Sequence, residues 1–281
     1  LTINSIALIY NGQGKYTEAL EKHNEALAIF ETLNDKREIS VTLNNIGTLY
    51  AARAMYDSAY TYFARALKIS KETGNKSDIA SRLINIGYLY ENWGQYEKAW
   101  KYYQNALELK KAFNAEPISI AISYHHFASL FKAQGDFDKA LLYYEKALAL
   151  NQSANYKQGI TKSLNNIGLI YRNWGNYDKA LSYYKKALKI SQKNGFEISS
   201  STDYHNIGAI YYQKGEYETA LRYFNRSMEI NKRFGIKDKE AIVLNRIGLV
   251  YIKKKKYAQA IDSISKALEI HKGLNNISDI A

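Results

Sequence analysis

The chain has 281 residues, 46% of them hydrophobic and 23% charged, enough apolar content for a substantial core in one large domain or two ordinary ones. No run reaches the 18 or more apolar residues of a membrane span, nothing at the start reads as a signal peptide, and the absence of cysteine excludes disulfides and thiolate chemistry. The net charge of +12 is uneven: residues 1–140 hold 16 Lys/Arg against 15 Asp/Glu, a net of +1, and residues 141–281 hold 23 against 12, a net of +11.

Taken in chain order, one unit recurs. Residues 1–34 carry Ala7, Tyr10, Tyr16 and Ala19; residues 35–74 carry Gly47, Tyr50, Tyr56 and Ala59; residues 75–114 carry Gly87, Tyr90, Tyr96 and Ala99. The same spacing returns as Ala128, Phe131, Phe137 and Ala140 in 115–155, and as Gly168, Tyr171, Tyr177 and Ala180 in 156–195. It returns again as Gly208, Tyr211, Tyr217 and Ala220 in 196–235, and as Gly248, Tyr251, Tyr257 and Ala260 in 236–274. The small residues are 40, 40, 41, 40, 40 and 40 apart. Residues 275–281 open an eighth unit, because Ser278-Asp279-Ile280-Ala281 repeats Ser77-Asp78-Ile79-Ala80. The chain thus reads as a single array of about seven units and as a fragment of a longer protein.

Each unit is predicted to be two helices. Ile160, Leu164, Ile167, Gly168 and Tyr171 fall at i, i+4, i+7, i+8 and i+11, one face of a helix, and Tyr177, Ala180, Leu181, Tyr184, Ala187 and Leu188 mark one face of the next. Short turns such as Trp174-Gly175-Asn176 join them, and Pro117 opens a first helix, where its missing N–H does least harm. A mid-helix glycine such as Gly168 costs about 1 kcal/mol against alanine. Close approach to Ala180 on the facing helix, with Tyr171, Tyr177 and Tyr184 filling the space beside it, accounts for its presence. Trp93 and Trp174, in matching turns, are expected to wedge adjacent units.

The pattern resembles the tetratricopeptide repeat. It is carried by leucine or tyrosine (Leu43, Leu83, Tyr124, Leu164, Tyr204, Leu244), then the small residue, tyrosine and alanine, then an aromatic (Phe63, Tyr103, Tyr144, Tyr184, Phe224) and a second alanine (Ala66, Ala106, Ala147, Ala187, Ala267). The period of 40 is longer than the common 34 and the usual proline late in the second helix is missing. The longer period is similar to that of kinesin light chains, of G-protein-signalling scaffolds of cell polarity and of bacterial signalling proteins. The resemblance implies an all-α, right-handed superhelical solenoid of about seven helix–turn–helix repeats. In such a fold first helices line a concave groove and second helices form the outer wall.

It also implies where a ligand would lie. Two places before the small residue stand Asn45, Asn85, His126, Asn166, Asn206 and Arg246, and one place earlier Asn44, His125, Asn165, His205 and Asn245. In similar arrays amides at the matching position hydrogen-bond the backbone of an extended peptide, a task that suits a group able both to donate and to accept. The competing reading is that these amides bond neighbouring helices and only stiffen the stack. Lys132, Lys162, Arg172, Asn173 and Lys253 join the groove-side set, with Thr48, Tyr88, Glu91, Asn92, Tyr212 and Gln213. Because the positive members gather in the second half, a ligand acidic toward that end would be complementary. Lys253 to Lys256 read as a solvated corner.

No constellation for catalysis, cofactor or metal binding is evident. His125 and His126 diverge by about 100° on a helix, and there is no HExxH, P-loop or GxGxxG after a strand. The reading is therefore a non-enzymatic protein- or peptide-binding module, the sensory or scaffolding part of a bacterial signalling protein. The alternative is a structural or dimerising spacer coupled to an effector domain elsewhere. Nucleic acid and membrane insertion are not expected of this segment. The cytoplasm is preferred over the periplasm, and the oligomeric state is open.

Overall fold

The computed structural model describes residues 3–279, and among these every regular element is an α-helix. In chain order the helices are α1 (Ile3–Gly12), α2 (Tyr16–Thr32), α3 (Lys36–Ala52), α4 (Tyr56–Thr73), α5 (Lys76–Asn92), α6 (Tyr96–Ala112), α7 (Pro117–Ala133) and α8 (Phe137–Ser153). They continue with α9 (Lys157–Asn173), α10 (Tyr177–Lys193), α11 (Glu197–Gln213), α12 (Tyr217–Arg233), α13 (Lys237–Lys253) and α14 (Tyr257–Asp279). Odd-numbered helices are the first members of the predicted pairs and even-numbered helices the second, so the chain is an all-α solenoid of about seven tandem repeats. It divides into two compact units, Leu1–Ala140 and Leu141–Asn276, with the boundary in the first turn of α8.

The 40-residue period follows from helix length. Eleven of the fourteen described helices run for 17 residues, and a short connection follows each. One residue of every connection turns left-handed. Gly14, Asn34, Ala54, Gly74, Gly94, Asn114 and Gly135 do so in the first unit, and Asn155, Gly175, Gly195, Gly215, Gly235 and Lys255 in the second. Glycine and asparagine adopt this conformation at least cost, and a left-handed residue after the last turn satisfies carbonyls that the helix leaves open. Asp35, Asn75 and Asn176 then accept from backbone N–H groups of the next helix as N-caps. The one 41-residue interval places its extra residue in the connection before Pro117, and α7 keeps its 17 residues.

Packing within a pair explains the mid-helix glycines. A Cβ on Gly168 would lie 2.7 Å from the Tyr184 ring, and one on Gly47 2.7 Å from Phe63 and 3.2 Å from the Ala59 carbonyl oxygen. Gly87 with Tyr103 and Gly208 with Phe224 repeat the arrangement. The facing backbones do come close, but the ring sixteen residues on lies over the glycine rather than beside it. Burying such a side chain contributes about 1.5–3 kcal/mol, more than the glycine costs. In the first pair Ala7 keeps its methyl, and the smaller ring of buried His23 stands sixteen residues on.

First helices pack against the preceding pair as well as against their own partner. Ile39 and Leu43 of α3 meet Leu27 and Phe30 of α2 and Ala66 of α4; Val243, Ile247 and Val250 of α13 meet Leu221, Phe224 and Met228 of α12. Tyrosines stack across several pairs, among them Tyr90 on Tyr102 at 5.5 Å and Tyr171 on Tyr183 at 5.4 Å between centroids. Trp93 does act as a wedge, stacked on Tyr56 of the preceding pair at 5.4 Å. Trp174 meets Tyr171 of its own first helix edge-on and is 42% exposed. No described helix is long and apolar enough to cross a membrane.

Candidate functional site

All the amides singled out lie on first helices, and several are tied to the neighbouring first helix. Asn85 Nδ2 donates to Asn44 Oδ1 at 2.6 Å, and Asn206 Nδ2 donates to Asn165 Oδ1 at 3.3 Å. Asn165 in turn donates to Asp203 Oδ1 at 2.5 Å, and Asn4 donates to Thr42 Oγ1 at 2.8 Å. Asn44 is buried; Asn85, Asn165 and Asn206 are half-buried. An amide offers two donors and two lone pairs, so one interhelix bond leaves capacity on each. Asn45, Asn166 and Asn245 are half-buried with no hydrogen-bond partner among the described residues.

In the second unit the last turns of α9 and α11, the start of α10 and the middle of α13 border a hollow of about 240 Å³, whose lining includes Arg172, Asn173, Tyr177, Tyr212, Gln213 and Arg246. Arg246 is exposed and Arg172 half-buried, and neither has an ion-pair partner among the described residues. Several cations elsewhere in this unit are paired. Lys214 pairs with Asp178 at 2.9 Å and Lys237 with Glu240 at 3.0 Å, while Arg233 pairs with Glu197 and Lys254 with Glu218. Arg172 and Arg246 thus leave positive charge uncompensated at this hollow.

His205 registers that field. Its ring packs on Phe224 at 5.6 Å between centroids. Burial, reinforced by Arg246, Arg172 and Lys239, lowers its pKa to about 4, so it is neutral at pH 7. Asp203, fully buried behind it, shows the opposite response: burial raises its carboxyl to about 6, against the hydrogen bonds from Asn165 and Ser191. The remaining candidates are dispersed. Lys162 and Lys253 are exposed at opposite ends of α9 and α13, and Lys132 is half-buried on α7. On the same helix His125 is buried and His126 packs on the Tyr103 ring at 5.2 Å. Glu91 is a structural bridge rather than a ligand group, accepting from Tyr103 Oη at 2.6 Å and Ser129 Oγ at 2.7 Å.

Sequence reasoning missed a second polar column, buried at the joints between pairs. Ser70, Lys110, Asn151, Ser191 and Asn231 stand 23 residues after successive small residues and are all buried. Lys110 Nζ donates to Ser123 Oγ at 3.0 Å and to the Ser119 carbonyl at 2.9 Å; burial lowers its pKa to about 8. Asn151 Nδ2 donates to Ser163 Oγ at 3.3 Å, and Ser191 Oγ to Asp203 Oδ2 at 2.7 Å. In the first unit Ser70 bonds Ser40 at 2.8 Å, and Ser40 Oγ accepts from buried Arg82 at 3.2 Å. The available signal was a polar residue recurring every 40 positions in an otherwise apolar stripe.

The family model described as "Tetratricopeptide repeat" matches residues 1–72, 38–112, 75–153, 119–193 and 199–273. Among solved structures, a Rap protein complexed with Competence and Sporulation Factor is 18% identical, with a TM-score of 0.70 over 98% of this chain and 75% of that one. The apo form of RapI is 17% identical, with a TM-score of 0.69 over 98% of both chains. The signal-transduction ATPase with a tetratricopeptide-repeat sensor, PH0952 from Pyrococcus horikoshii, is 18% identical, with a TM-score of 0.70 over 99% of this chain and 43% of that one. At these identities the likeness is one of fold. No curated protein matches the sequence.

Proposed function

The chain belongs to the tetratricopeptide-repeat family, whose fold is an interaction scaffold, and on that premise we propose that it is a non-enzymatic module that holds an extended partner segment along its first helices. The segment is acidic where it meets residues 156–253. The observation that carries this is the hollow with two unpaired arginines, Arg172 and Arg246, beside Asn173, Tyr212 and Gln213. Guanidinium groups and amides are the donors that grip carboxylates and peptide backbone. We place it as the sensory or scaffolding part of a bacterial signalling protein; the Rap and signal-transduction ATPase neighbours support the signalling part of that reading.

A defined random-sequence peptide array tests the proposal. We expect enrichment of peptides bearing Asp or Glu, and loss of that binding in the double variant Arg172→Gln/Arg246→Gln with an unchanged melting temperature. Binding that ignores peptide charge, or survives the double variant, overturns the acidic assignment. The second reading is a spacer whose amides only stiffen the stack, and the bonds Asn85–Asn44 and Asn206–Asn165 favour it. Asn206→Ala would then lower melting temperature and leave array binding as it was.

A further inference from the structure

The buried polar column is interrupted at one joint of the second unit. Where Lys110, Asn151 and Ser191 find Ser123, Ser163 and Asp203 five places before the next small residue, Asn231 meets Val243, a residue 1% exposed. Asn231 is itself 0% exposed. Its Oδ1 accepts from Ser201 Oγ at 2.6 Å, but its Nδ2 has no partner among the described residues. An orphaned buried amide N–H₂ costs about 1–3 kcal/mol, so such groups in native proteins are normally met by water or a ligand.

Beside that amide lies a cavity of about 190 Å³ whose lining includes Ser201, His205, Asn231, Lys239, Ile242 and Val243. His205 Nδ1 is another buried polar atom without a partner among the described residues. Lys239 and Ile242 stand at i and i+3 of α13, with Arg246 at i+7, so they share the helix stripe that carries the arginine of the neighbouring hollow. Lys239 Nζ has a single long hydrogen bond, 3.4 Å to Thr202 Oγ1. The lining thus offers an amide N–H₂, an ammonium, hydroxyls and a neutral imidazole, and no carboxylate. Asp203, two residues from His205, is held by Asn165 and Ser191.

We propose that this cavity is a subsite for an acidic side chain of the bound segment, whose carboxylate accepts from Asn231 Nδ2 and Lys239 Nζ. The proposal rests on the binding reading given above and deepens it. A carboxylate only accepts, which suits a lining of donors. A carboxamide would set its own N–H₂ against Asn231 and Lys239. One water takes about 30 Å³, so the space exceeds what a single bridging water needs. Arg246, Arg172 and Lys239, which add to the effect of burial in lowering the His205 pKa, act in the same direction, toward an anion.

The test is a titration of the ¹⁵N-labelled protein with N-acetyl-glutamate methylamide and with its glutamine counterpart. The acidic probe is expected to shift the Asn231 side-chain amide and the backbone signals of 201–205 and 239–243, and to bind about tenfold more tightly than the glutamine probe. Val243→Ser places the Ser123/Ser163 type of partner beside Asn231 and is expected to abolish the preference while holding or raising the melting temperature. Lys239→Gln, at a half-buried position on the surface stripe, is expected to weaken the acidic probe as well. Equal response to both probes, or no shift at Asn231, means that ordered water alone occupies the cavity and overturns the subsite. If array peptides still bind in that case, the subsite falls and the wider binding reading stands; if neither probe nor array peptide binds, both fall.

Discussion

Asp203→Asn is expected to stabilise the protein at neutral and alkaline pH. Burial moves the Asp203 carboxyl from its ordinary 3.8 to about 6, so the fold prefers the protonated acid. The stability this group contributes is fully present below its unfolded pKa and is lost as pH rises through about 6. At 1.36 kcal/mol for each pH unit, ionisation costs roughly 3 kcal/mol at pH 8 and roughly half of that at pH 5. Asparagine keeps an acceptor for the Asn165 amide, and the Ser191 hydroxyl, now 2.7 Å from Oδ2, can rotate to accept from the new N–H₂. Urea unfolding of both proteins from pH 5 to pH 8 measures the difference, and taking variant minus parent cancels the other titrating groups. The variant should gain about 2–3 kcal/mol at pH 8 and less at pH 5. A difference that is zero at pH 8, or independent of pH, refutes the account of a carboxylate held at a desolvation cost.

Arg172→Gln with Arg246→Gln should raise the His205 pKa from about 4, because both guanidiniums contribute to its depression after burial itself; an NMR titration of the imidazole reads it. Gly168→Ala should lose about 1–3 kcal/mol by overpacking, since its methyl would stand 2.7 Å from the Tyr184 ring, seen as a lower denaturation midpoint. Ala54→Gly should gain up to about 1 kcal/mol, because Ala54 sits at φ 55° where the neighbouring connections place glycine or asparagine; a thermal melt checks it.

What could be read from the sequence divides along physical lines. The helices and their pairing are legible because the small residue, the aromatic three on and the alanine twelve on mark faces whose period is set by helix geometry alone. The reason for Gly168 was largely legible: the close approach and the part played by Tyr184 were expected, but the Tyr184 ring lies over the glycine rather than beside it. The amides were placed on first helices correctly, yet their engagement depends on residues 38 or 41 positions away, as in Asn165 with Asp203 and Asn85 with Asn44. Glu91 misled because its partners, Tyr103 and Ser129, belong to two other helices. The joint column stayed hidden because Ser70, Lys110, Asn151, Ser191 and Asn231 share a position and a task but no common chemistry. Its break at Val243 looks, in sequence, like one more apolar core residue.

The left-handed connections also define where this chain can change length. An extra residue inside a helix would rotate everything after it by about 100°, pulling Asn165 away from Asp203 and Ser191 off the same carboxylate. The single departure from the 40-residue interval avoids this by lying ahead of Pro117. Recombination that joins Asn34 to Asn75 would remove 40 residues, exchange the Asp35 cap for the Asn75 cap and leave every later bond in phase. Heredity can therefore lengthen or shorten such an array in whole paragraphs, never by single letters within a helix.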